Sequence, residues 1–210
     1  MLYKNVYYIN GNAYAGKSTM VKMLAKKYNG YACLENYHDE LLPTLDKNEF
    51  PNLCYTRDLE DFHDFVRRTP DEYEKWIHNV SKECEILELR LLKDIAKKEK
   101  IVFVDTNISL ETLKKISDND HVLIMLTDPY VSVTRFFDRP DREKQYLYRL
   151  LLDEKDPDKA IANFKECLMR INSVKNYNYF LNFGFNVLEK DESRTVDETL
   201  NIVSKLFKLD

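Results

Sequence analysis

Residues 6–19 read Val6-Tyr7-Tyr8-Ile9-Asn10-Gly11-Asn12-Ala13-Tyr14-Ala15-Gly16-Lys17-Ser18-Thr19. The opening run is apolar, β-branched and aromatic, the composition of a buried strand. Residues 11–18 fit G-x-x-x-x-G-K-[ST], a glycine loop that wraps phosphate. Beyond it Met20, Met23, Leu24 and Tyr28 fall at helical spacing. Strand, loop and helix thus follow one another in the order a phosphate cradle needs.

The chemistry of that order is electrostatic. A nucleoside triphosphate crowds negative charge into a small space, and loop N–H groups at the positive end of a helix accept it. Gly11 and Gly16 allow backbone conformations and close approaches that a Cβ blocks. Lys17 is expected to reach the β- and γ-phosphates and Ser18 to ligate Mg²⁺. Gly11, Asn12, Ala13, Tyr14, Ala15, Gly16, Lys17, Ser18 and Thr19 together form the expected ATP site. A plain glycine turn before a helix requires far fewer of these residues.

The chain has 210 residues, enough for one substantial core. At 44% hydrophobic and 32% charged residues it has the balance of a globular protein. A net charge of −4 disfavours nucleic acid as an obligate partner. Cys33, Cys54, Cys84 and Cys167 form no C-x-x-C pair, so reduced thiols fit better than a disulfide framework or zinc knuckle. No signal peptide, membrane span, flexible linker or repeat is visible, and a cytoplasmic location is expected.

Further strands are expected around Ala32, Val102, Leu123 and Val187. Gly30 is expected to cap the first helix with a positive φ. Residues 41–53 read mostly as loop and 55–68 as one helix. Thr69-Pro70-Asp71-Glu72 signals a helix start, and an apolar stripe from Ile77 to Ile95 carries that helix to Lys98. Shorter helices follow at 109–116, 129–137, 143–152 and 157–174. Residues 177–182 either extend the last of these or form another, and a terminal helix covers 196–209. Strands alternating with helices specify an α/β fold with a parallel sheet. In such sheets ligands bind beyond the carboxyl ends of the strands, where Gly11, Glu35, Asp105 and Asp128 fall.

With these residues in place the chain resembles the P-loop kinases, the superfamily of nucleoside monophosphate, shikimate and deoxynucleoside kinases. It is also similar to small bacterial proteins known only as ATPases or kinases. The resemblance implies a three-layer P-loop NTPase fold of one domain, 1–210, with sheet order 2-3-1-4-5 and helices on both faces. It implies an acceptor-binding helical insertion at 36–98. It also implies a lid at 128–155, where Arg135, Arg139 and Arg142 fall. The chain departs from its relatives in places. Tyr14 stands where nucleoside monophosphate kinases carry glycine, and Asp105-Thr106-Asn107 replaces the glycine run of shikimate kinases. Of the deoxynucleoside kinases' Asp-Arg-Ser only the Asp is present, while Glu35 suits their carboxylate after the second strand.

Asp105, ending an apolar run, is expected to hold Mg²⁺ with Ser18; capping of the next turn is the competing role. Glu35 or Asp39 is the expected base toward an acceptor hydroxyl, against ordinary solvated loop charge. His38 between them reads as a hydrogen-bonding loop residue rather than a ligand. Arg135 and Arg139 share a helix face and suit the charge on a transferred phosphoryl. Pro140 makes the segment a candidate flap, and salt bridges to Asp138 and Asp141 are the alternative. Arg57, Arg67 and Arg68 could meet an anionic acceptor. Tyr55, Phe62, Phe65 and Trp76 fit a pocket wall or a core equally.

The expected activity is an ATP- and Mg²⁺-dependent phosphotransferase for a small metabolite such as a nucleoside, nucleotide or shikimate-like hydroxyl compound. The expected partner is that small-molecule acceptor, with no nucleic acid or membrane, and the expected assembly a monomer or homodimer. A regulatory nucleotide-dependent ATPase or switch acting on a protein partner is the alternative. A small GTPase is disfavoured, because the chain has no Asn-Lys-x-Asp tetrad and no x-x-Gly after Asp105.

Overall fold

The computed structural model describes residues 3–138 and 142–209. Five strands form one all-parallel sheet: β1 (Val6–Gly11), β2 (Tyr31–Cys33), β3 (Val102–Asp105), β4 (Val122–Leu126) and β5 (Asn186–Glu189). Their order is β2-β3-β1-β4-β5, which puts the glycine-loop strand in the centre. This is the order of a P-loop-like α/β fold. Val6 pairs with Val102 and Ile9 with Asp105 on one side of β1, and Gly11 pairs with Met125 on the other. Strands β3 and β4 are buried at every position, as expected of inner parallel strands covered on both faces.

The two faces bury separate cores. Tyr8, Val102, Val104, Val122 and Ile124 pack against the long helix α4 (Pro70–Lys98), through Leu92, and against α5 (Leu110–Ile116) and α9 (Val174–Asn182). Ile9, Phe103, Leu123 and Met125 pack against α1 (Lys17–Lys27) and α10 (Val196–Leu206). Each fully buried Leu, Ile or Val contributes roughly 1.5–3 kcal/mol to this sandwich.

Helix starts follow local chemistry. Thr69 and Glu72 form a capping box at α4, and Thr195 and Glu198 do the same at α10. Ser109 caps α5, as its position before an apolar run requires. Residues 174–182 form a separate helix rather than an extension, because Ser173 accepts from Asn176 N–H and starts a new one.

Two expectations are corrected. Residues 55–68 are not one helix. A 3-10 segment, Tyr37–Thr44, leads to α2 (Pro51–Arg57), and α3 (His63–Val66) follows after a break. Pro51 opens α2, and the Glu83 carboxylate from α4 accepts the N–H groups of Asn52 and Leu53. Arg57 ends α2 by pairing with Asp58 and donating to the carbonyls of Leu42 and Leu45. The cap of α1 is the second correction. Asn29, at φ 50°, takes the left-handed conformation expected of Gly30. Gly30 serves close packing instead, since a Cβ there would lie 2.7 Å from Ile101 Cγ2.

A third apolar cluster joins the region between β2 and β3 to the region after β4. Phe65, Tyr73 and Trp76 meet Val133 of α6 (Pro129–Thr134), Leu151 of α7 (Arg142–Leu152) and Phe164 of α8 (Pro157–Ile171). The segments expected as acceptor insertion and lid therefore share one core. Among the described residues all four cysteines are buried free thiols, and no helix is long and apolar enough to cross a membrane.

Candidate functional site

The loop after β1 takes its shape from three residues with positive φ: Gly11 at 129°, Tyr14 at 69° and Gly16 at 90°. Gly11 is fixed by close approach, because a Cβ there would fall 1.9 Å from the Met125 carbonyl oxygen. Tyr14 holds its left-handed conformation without glycine's freedom, and its hydroxyl donates to the Arg135 carbonyl at 2.6 Å.

Two asparagines anchor the loop to the neighbouring strand ends. Asn10 donates to the Ile108 carbonyl at 2.7 Å and accepts from Gly11 N–H. The Asn12 amide makes a two-bond clasp with Thr127, donating to its carbonyl and accepting from its N–H. Both side chains are buried, so these bonds are strong constraints on where the loop sits.

Helix α1 begins at Gly16 with no side-chain cap and no acidic residue in its first turn. Its free N–H groups and positive dipole end therefore face the loop's hollow. Lys17 Nζ donates to the Asn12 carbonyl at 3.1 Å and lies 3.9 Å from Asp105 Oδ1. The Ser18 hydroxyl donates to Asp105 Oδ2 at 2.6 Å. Lysine, hydroxyl and carboxylate thus converge at the carboxyl edge of the central strands. Burial lifts the Asp105 carboxyl above its ordinary range, Lys17 and Ser18 oppose that rise, and Glu35 and Glu88 add to it.

The loop that follows Asp105 is clamped from α4. Glu88, fully buried, accepts from the Thr106 hydroxyl at 2.6 Å and from Asn107 N–H and Nδ2 at 3.0–3.2 Å. One turn earlier Glu85 accepts from Ser109 N–H and the Thr112 hydroxyl, fixing the start of α5. Sequence reasoning missed both, along with Asn10, and expected Asn12 as part of the ATP site but not as an anchor on Thr127. The one local signal was polar residues breaking otherwise apolar or glycine-rich runs.

A cleft of about 290 Å³ opens beside this group. Its walls bring Lys17, Glu35 and Asp105 together with His78 and Lys82 of α4 and Tyr179 of α9. Asp39 is not part of it, and lines a separate cavity of about 470 Å³ with His38, Arg57 and Trp76. His38 is buried, with Nε2 3.2 Å from Cys84 Sγ and Nδ1 3.6 Å from Glu88. Arg135 is exposed at the end of α6, reaching the loop through its carbonyl, and Arg142 opens α7. Arg139, with Pro140 and Asp141, lies outside the described residues.

On the other side of the loop a hollow of about 300 Å³ runs from Gly16 and Thr19 to the 189–194 segment after β5. Among the described residues no cluster of three or more His, Cys, Asp or Glu could hold a metal unaided. A divalent ion here would need phosphate oxygens and water to complete the shell that Ser18 and Asp105 begin, the usual state of Mg²⁺ in nucleotide sites.

No family model matches the chain, and a search of curated proteins returned no match.

Proposed function

We propose that the protein is an ATP- and Mg²⁺-dependent phosphotransferase acting on a small metabolite. The observation that carries this reading is the convergence of Lys17, Ser18 and Asp105 below the uncapped start of α1. The donors suit a polyphosphate: helix N–H groups, an ammonium and a hydroxyl, with one carboxylate available to a metal. Mg²⁺, when bound, offsets phosphate charge and orients the group to be transferred.

In this reading the loop amides take the phosphates, and Lys17 exchanges the Asn12 carbonyl for phosphate oxygens. Ser18 and Asp105 hold the metal. The hollow toward residues 189–194 receives the nucleoside, and the cleft between Asp105 and α4 receives the acceptor. Glu35 is the better-supported base, because it shares that cleft with Lys17 and Asp105 whereas Asp39 does not. Arg135, tied to the loop through Tyr14, is assigned with Arg139 to the charge on the transferred phosphoryl.

The test is a panel of hydroxyl and phosphate acceptors with purified protein, ATP and Mg²⁺, scored as ADP release above the acceptor-free rate. The reading expects acceptor-dependent ADP release that Lys17→Ala abolishes while the protein stays folded. Turnover unchanged in Lys17→Ala, or no affinity for ATP with Mg²⁺, would overturn it. Turnover that no acceptor accelerates but a bound protein does would favour the regulatory ATPase.

A further inference from the structure

Of the arginines between β2 and β3, Arg57 and Arg67 are already engaged. Arg57 holds Asp58 and two carbonyls, and Arg67 pairs with Glu154 at 2.9 Å. Arg68 differs. Its guanidinium carbon sits 4.0 Å from the Tyr55 ring centroid, 4.8 Å from Trp76 and 5.3 Å from Phe65. Its Nη1 is buried and has no hydrogen-bond partner, and no carboxylate lies within ion-pair distance among the described residues.

Aromatic rings stabilise a guanidinium but supply no acceptor in its plane. A buried N–H without an acceptor is a net cost to the folded state, so its retention calls for a reason. The backbone at this position is also pinned, since the Arg68 carbonyl accepts from Asn163 Nδ2 and Cys167 Sγ on α8. Main chain and side chain are therefore both held in place, with the hydrogen-bonding edge uncommitted.

Arg68 also lines a depression of about 500 Å³, whose wall includes Asn52, Lys75 and Asn79. Two carboxylates line it as well, and both are occupied: Glu72 by the N–H and hydroxyl of Thr69, Asp64 by Arg67 at 3.8 Å. Lys75 on the rim has no ion pair among the described residues. Glu72, Lys75, Trp76 and Asn79 form one stripe of α4, whereas the cleft beside Asp105 uses the stripe of His78, Ser81, Lys82 and Glu85. The two lining sets share no residue.

We propose that Arg68 and Lys75 form an oxyanion-binding site, distinct from the cleft beside Asp105, for a small metabolite carrying a phosphate or carboxylate group. A planar fork held by aromatic rings is preorganised for such a group, so little side-chain entropy is lost on binding. The site does not depend on the phosphotransferase reading.

Trp76 is the single tryptophan of the chain and sits in the site, so its emission reports occupancy. The experiment titrates inorganic phosphate and, separately, malonate into the full-length protein, following Trp76 fluorescence and heat of binding. At least one probe should bind saturably to wild type and equally to Lys17→Ala. In Arg68→Met, which keeps an apolar side chain among the rings, binding should weaken by at least about tenfold. A response to phosphate alone assigns a phosphorylated ligand, and a response to malonate alone a carboxylate. Binding lost in Lys17→Ala but kept in Arg68→Met would overturn the proposal, as would the absence of binding by both probes. If Arg68→Met does not fold, Lys75→Met decides: weakened binding supports the site and unchanged binding overturns it.

Discussion

Removing the Glu88 carboxylate should cost both stability and the aim of Asp105. Glu88 is fully buried and receives the Thr106 hydroxyl, the Asn107 N–H and the Asn107 side-chain amide. In Glu88→Ala these donors lose their acceptor. Asn107 is exposed, so water can replace the bond to its side chain at little cost. Thr106 is 3% exposed, and its oxygen already accepts from Ile108 N–H, so its hydroxyl proton has nowhere else to go. Losing a hydrogen bond to a charged acceptor costs about 1.5–3 kcal/mol, and a second stranded donor at Asn107 N–H costs about 1–3 kcal/mol. Together these give an expected loss of about 3–6 kcal/mol, before the void left by the side chain is counted. Set against a typical stability of about 5–15 kcal/mol, that is a large fraction of the total. Glu88→Gln keeps the volume and one acceptor, so its loss should be about half as large. Urea unfolding of the three proteins at matched pH, with m-values checked for equality, measures these differences. The second readout is ATP turnover under conditions where all three remain folded. It should fall in both variants, because the residues that follow Asp105 are no longer clamped. A Glu88→Ala loss below about 1 kcal/mol, or equal losses in Ala and Gln, would refute this account of the clamp.

Three further outcomes are expected. Asp105 is raised by burial, so its protonated form is favoured by folding, and its ionisation erodes stability as pH rises from the unfolded value through the folded one. Asp105→Asn should therefore melt higher than wild type at pH 7.5, with the gap closing toward pH 4, while Mg²⁺-dependent turnover disappears; thermal melts across pH check the first and ADP release the second. Gly11→Ala places a Cβ 1.9 Å from the Met125 carbonyl at φ 129°, so it should fail to fold or lose more than about 3 kcal/mol, read by circular dichroism and urea titration. Glu83→Ala removes the carboxylate that caps α2 through Asn52 and Leu53, and should cost about 1–3 kcal/mol with ATP affinity unchanged, measured by unfolding and by nucleotide titration.

The sequence alone determined the glycine loop, the five strand positions, the capping of α4 and α5, and hence a parallel α/β sheet. Each of these is written in contiguous residues: a motif of fixed spacing, an apolar run, a Thr or Ser before a periodic stripe. The break between α2 and α3 was not legible, because Leu59, Phe62 and Val66 satisfy helical spacing while Glu83 and the carbonyls of Leu42 and Leu45 fix where α2 starts and stops. Which carboxylate faces Lys17 was equally hidden. Glu35 and Asp39 lie four residues apart in the chain, yet the 3-10 segment between them sends Asp39 to another cavity. The clasp of Asn12 on Thr127 spans 115 residues and that of Asn10 on Ile108 spans 98. The orphaned edge of Arg68 likewise exists only because α2, α3 and α4 bring three rings around it. Local pattern specifies elements because backbone conformation and hydrophobic period are short-range properties. Partners for buried polar groups are decided by where the elements pack, and that packing placed the groups of the site.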